Sequence, residues 1–134
     1  MTYRNGVVAD TLRAAGMDCY RIIFGLNLPQ LSAIARELKE RHKAPELLEI
    51  ARLLEQDKGV RESRLLAYQL YGMAQVSREE AGRLMLDVQS REEAEVLCLR
   101  VLGRHPEAPR LYEAADESTP LQAHLKRVLA RHLE

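Results

Sequence analysis

The stretch Pro29–Gln56, PQLSAIARELKERHKAPELLEIARLLEQ, decides the fold. Leu31, Ile34, Ala35 and Leu38 recur at i, i+3, i+4 and i+7, the spacing of one buried helix face. Leu47, Ile50, Ala51 and Leu54 repeat the pattern. Pro29 and Pro45 each suit a first helical turn, where the missing N–H costs nothing. Two helices separated by so short a link run antiparallel. The reading therefore starts as a helical hairpin.

The same periodicity continues along the chain. Ala81, Leu84, Met85 and Val88 form one further stripe, and Ala94, Leu97, Cys98 and Val101 another. Leu121, Leu125, Val128 and Leu129 close the series. Helix starts are marked by Ser77 with Glu80 and by Ser90 with Glu93, each spaced as a capping box. Thr119 before Pro120, with Gln122 at N3, marks another. Gly103 and Pro106 stop the helix that carries Leu97. These signals predict helices over about 4–15, 18–24, 29–42, 45–56, 60–74, 78–88, 91–103 and 107–133, the last broken near Ser118. No stretch alternates as a strand does, and β-branched residues are sparse.

The chain has 134 residues, the size of one domain, so 1–134 is read as a single helical-repeat unit. Hydrophobic residues make up 46% and charged residues 30%, an ordinary globular balance. Cys19 and Cys98 lie far apart and form no metal or redox motif; they read as reduced thiols. No apolar run approaches the roughly 18 residues of a membrane span. The start of the chain lacks the apolar stretch of a signal peptide. A cytoplasmic protein without a membrane partner is expected.

Twenty basic residues balance twenty acidic ones, which argues against a strongly basic nucleic-acid binder. The balance is uneven: residues 1–43 hold seven basic against four acidic residues. Arg36, Lys39 and Lys43 share one face at i, i+3 and i+7, and Arg61 and Arg64 open a later helix. If these five line one groove, they can contact phosphates; a solvated face is the plainer reading. Tyr68 and Tyr71 could stack on a base, but their place among Leu65, Leu66 and Leu70 favours core packing. His124 and His132 find no carboxylate or cysteine at ligand spacing, so no metal is expected. No cofactor is expected either: the phosphate-binding glycine loops are absent, as is the G-x-S-x-G elbow of serine hydrolases. Glu79-Glu80 and Glu92-Glu93 sit in first helical turns, where the helix dipole favours them.

Helix starts recur about every 15 residues from Pro29 onward, so a pair spans about 30–35, within the range of helical repeats. Periodicity alone leaves two arrangements open, a HEAT-like curved stack and a closed bundle.

Two segments bear on that choice. Phe24-Gly25-Leu26-Asn27-Leu28-Pro29-Gln30-Leu31-Ser32-Ala33-Ile34-Ala35 resembles the opening motif of AlkD-like DNA alkylation repair proteins: aromatic-Gly-aliphatic, a polar link, Pro and a helix. Val60-Arg61-Glu62-Ser63-Arg64-Leu65-Leu66-Ala67 resembles the stretch in which a Glu begins the next repeat of that family. The similarity spans roughly residues 18–107. It implies an all-α fold of antiparallel helix pairs forming a HEAT-like (ARM-type) right-handed superhelix. It also implies an activity class, excision of cationic alkylated purines from DNA held along a basic groove. The family's catalytic segment has a Ser, paired tryptophans and then an aspartate that stabilises the cationic sugar. The matching place here, Gln89-Ser90-Arg91-Glu92-Glu93-Ala94-Glu95-Val96-Leu97-Cys98, keeps Ser90. The chain has no tryptophan, and only a register shift lets Glu95 stand for the aspartate. The family's later repeats, with a further aromatic and a basic residue of the lesion site, are also missing. The expectation is a short relative that binds DNA through Arg36, Lys39, Lys43, Arg61 and Arg64 without glycosylase activity. The alternative is a protein-interaction scaffold with no nucleic-acid role.

Overall fold

The computed structural model describes residues 25–134, and every regular element among them is helical. The helices expected over 4–15 and 18–24 lie outside the described residues. The others are α1 (Leu28–Arg41), α2 (Ala44–Gln56), α3 (Arg61–Ala74), α4 (Arg78–Leu86), α5 (Arg91–Arg100), α6 (Ala108–Ala114) and α7 (Pro120–His132). A single 3₁₀ turn, Leu102–Arg104, follows α5.

Helix entry is chemically specified. Gly25 takes φ 80°, a left-handed conformation that a side chain would strain, and delivers the chain to Asn27. Asn27 accepts from the Gln30 amide at 2.8 Å, and Gln30 accepts from the Asn27 amide at 2.9 Å, a complete capping box. Ser77, Ser90 and Thr119 each accept from the amide three residues on, at 3.1 Å. The expected reciprocal half of the box does not form at Glu80, which accepts from Arg83 at 3.0 Å, or at Gln122, which donates to the Met85 carbonyl at 2.9 Å. Glu93 turns inward to an internal arginine.

The connections between α1 and α5 are two to four residues long. Packing follows an alternating order. α3 lies against both α1 and α2, α5 lies against α3, and α7 lies against α5. The odd-numbered helices are thus successive neighbours, with α2 covering α3 and α4 touching α5, α6 and α7. Leu31, Ala35, Leu47 and Ala51 seal α1 and α2 against Leu65, Tyr68 and Leu70 of α3. Leu84, Leu97, Leu102, Leu125 and Leu129 continue the same core towards the C-terminus. Burying each such leucine contributes about 1.5–3 kcal/mol. Gly72 marks the closest approach of α3 to α5: a Cβ there would sit 2.2 Å from the Arg100 carbonyl oxygen.

Candidate functional site

The charged side chains of this small chain are distributed in an unusual way. Arg64, in the first turn of α3, is fully buried. Its Nη1 donates to the Glu55 carbonyl at 2.7 Å and to Asp87 Oδ2 at 3.0 Å. Its Nη2 donates to the Asp87 carbonyl at 2.7 Å and to Glu93 Oε1 at 2.9 Å. Glu93 is itself fully buried. It accepts further from the Tyr68 hydroxyl at 2.8 Å and from the Gln89 amide at 3.0 Å. Burial alone lowers the Arg64 pKa, but the Glu93 hydrogen bond leads the effects that raise it above the usual value.

Two flanking clusters extend this centre. Arg61 grips Glu92 with Nε and Nη2 at 2.6 and 2.7 Å, and also donates to Glu62 and to the Leu26 carbonyl. On the other side Arg83 holds buried Glu55 with two bonds of 2.8 Å, and the Tyr71 hydroxyl donates to Glu55 at 2.6 Å. Burial first, and then the bond to Glu55, push the Tyr71 phenol well above its ordinary pKa. Asp87 is held at about 2: burial raises it, but Lys58 and Arg64 lower it further. Arg52, Lys58, Arg83, Glu80 and Asp87 line a shallow charged cleft of about 370 Å³ over this network.

The sequence-derived site residues are thereby separated. Arg61 and Arg64 are buried and matched to internal carboxylates, so their guanidiniums do not line an open groove in this structure. Arg36 and Lys39 are exposed on α1, and neither side chain is paired among the described residues. Lys43 is also exposed but lies past the end of α1, as the residue preceding α2. Glu95 stands exposed on α5, with Oε1 3.4 Å from His124 Nε2 of α7. Ser90 serves as the N-cap of α5. Tyr68 and Tyr71 are fully buried, as expected, though each hydroxyl serves the ion network. No cluster of three or more metal-ligating side chains occurs among the described residues. No described helix is long and apolar enough to cross a membrane.

A second and larger cleft, about 490 Å³, opens where the C-terminal ends of α3 and α5 meet the start of α4. Tyr71, Val76 and Val101 give it an apolar wall, and Arg78, Arg100, Arg104 and Glu107 give it charge. His105 shapes one side of it. Its Nδ1 accepts from the Glu107 amide at 3.0 Å, so its Nε2 is the protonated nitrogen that donates to the Val76 carbonyl at 2.9 Å. No local motif announces the cleft, because its walls come from two distant stretches of the chain, 71–79 and 100–107.

Comparison with known protein families, with curated proteins and with solved structures finds no match to this chain.

Proposed function

We propose that this chain is a short AlkD-like HEAT-repeat protein that binds DNA without cleaving glycosidic bonds. The alternating packing supports the repeat reading: α1, α3, α5 and α7 are successive neighbours, as in a stack of antiparallel pairs of either hand. The observation that carries the DNA reading is the free cationic edge of Arg36, Lys39 and Lys43, exposed and without ion pairs among the described residues. Three such charges supply phosphate contacts without sequence preference. Glu95 is exposed, beside a histidine and in a chain with no tryptophan, which supports binding without excision.

Duplex binding followed by fluorescence anisotropy across a salt series tests this. Affinity falls with salt, and replacing Arg36, Lys39 and Lys43 by Gln lowers the log–log slope by about 2–3. No binding at low salt refutes the proposal. Release of a methylated purine that Glu95→Gln abolishes refutes the absence of glycosylase activity.

A second reading, a protein-interaction scaffold, is favoured by different residues. Leu53 on α2 and Leu86 on α4 are 69% and 70% exposed. Isolated exposed leucines are ordinary, but a stoichiometric protein partner released by Leu53→Glu and Leu86→Glu, with DNA binding absent, selects this reading.

A further inference from the structure

The cleft between the ends of α3 and α5 is lined by two arginines, Arg100 and Arg104, that no carboxylate among the described residues pairs. Among the described arginines that are buried or half-buried, Arg61, Arg64 and Arg78 each contact a carboxylate. Arg100 does not. It is half-buried, and its one side-chain hydrogen bond among the described residues runs from Nη2 to the neutral Ser32 hydroxyl at 3.3 Å. Arg104, on the 3₁₀ turn, is exposed and makes no ion pair among the described residues. Both line the same cleft. Its two acids do not neutralise them: Glu107 contacts Arg78 at 3.3 Å and Arg110 at 3.3 Å, and Glu79 lies 3.9 Å from Arg78. Negative charge is thus gathered around Arg78, and the Arg100–Arg104 end is left positive.

Two further features fit the same chemistry. The first turn of α4, Ser77 to Glu79, lines the cleft, and the start of a helix is the positive end of its dipole. Ser77 caps only the Glu80 amide, so the Arg78 and Glu79 amides have no acceptor within the helix. The apolar wall is formed by Tyr71, Val76 and Val101, all three largely covered. A volume of about 490 Å³ lies in the range of small-molecule sites.

We infer that this cleft binds the phosphate group of a small phosphorylated metabolite, with Arg100 and Arg104 on the phosphate and the remainder of the molecule against the apolar wall. Guanidinium forks suit the oxygens of a phosphate, and its second negative charge favours it over a single carboxylate. Arg36 and Lys39 do not line this cleft, and the inference does not rest on DNA binding.

The test uses inorganic phosphate as the probe, with isothermal titration calorimetry and thermal melting of the full chain. Saturable binding and a melting temperature that rises with phosphate are expected. Arg104→Gln, at an exposed position, weakens binding about tenfold or more while melting like the parent without phosphate. Arg100→Lys weakens it too, because the fork is lost. Arg36→Gln/Lys39→Gln binds phosphate as the parent does. Three results overturn the inference: no saturable binding, equal binding by Arg104→Gln and parent, or loss of binding in the α1 variant. Acetate binding as tightly as phosphate overturns the assignment to phosphate.

Discussion

Replacing Arg64 by Met removes a fully buried cation that donates to fully buried Glu93 at 2.9 Å. The size of the loss follows from what remains. Glu93 still accepts from the Tyr68 hydroxyl at 2.8 Å and from the Gln89 amide at 3.0 Å, so its hydrogen bonds are largely met. Its charge loses the Arg64 guanidinium. Asp87 keeps Lys58 at 3.0 Å, but the Glu55 and Asp87 carbonyls each lose a donor. Stranding a buried charge costs about 3–5 kcal/mol. A domain of this size has about 5–15 kcal/mol in total. Its unfolding entropy is about 0.28 kcal/mol/K, so the melting temperature falls by about 10–18 °C. Adding Glu93→Gln to Arg64→Met recovers part of the loss, because an amide has no charge to strand. Urea unfolding at neutral pH, read as a change in midpoint at constant slope, measures both variants. A loss below about 1 kcal/mol for Arg64→Met, the value typical of exposed pairs, refutes the reasoning. So does a double variant less stable than the single one.

Asp87, held at about 2, is depressed in the folded state, so its stabilisation is present above the unfolded carboxylate range and is lost as pH falls from about 5 towards 2. Asp87→Asn is less stable at pH 7 by about 2 kcal/mol and has a flatter stability profile over that window, measured by urea titration; a parallel profile contradicts the assignment. Gly72→Ala destabilises by about 1–3 kcal/mol, since its Cβ would meet the Arg100 carbonyl at 2.2 Å, whereas Gly82→Ala, with nothing within 4 Å, stabilises α4 by about 0.5–1 kcal/mol. Thermal melts of the two variants should move in opposite directions. Burial, and then the charge of Glu95, push the Cys98 thiol up to about 12, so in a Cys19→Ser background it resists alkylation at pH 8 until the chain is unfolded. Prompt labelling of the native protein speaks against a closed core at Cys98.

The helices were legible because their signals are local. Apolar stripes, proline starts and serine caps placed α1 to α5 within a few residues, and the break near Ser118 separates α6 from α7. The overrun of the fifth helix to Gly103 has a simple cause. The ladder tightens after Arg100 into a 3₁₀ turn, a change that side-chain periodicity does not record. The charged interior was not legible. Arg64 and Glu93 occupy positions where a helix dipole or a solvated face explains a charge equally well. Only the crossing of α3 with the α4–α5 link brings them together, 29 residues apart in sequence. The cleft at Arg100 and Arg104 was missed for the same reason.

The central network has a bearing on how the chain may be divided. Arg64 draws its partners from the end of α2, from the link after α4 and from α5, while Tyr71 and Arg83 meet at Glu55. Repeat proteins are commonly shortened or lengthened by whole helix pairs, because each pair leans only on its neighbours. Cutting this chain between α3 and α4 would separate Arg64 from Asp87 and Glu93. Any division of the chain should therefore keep α2 through α5 on one piece.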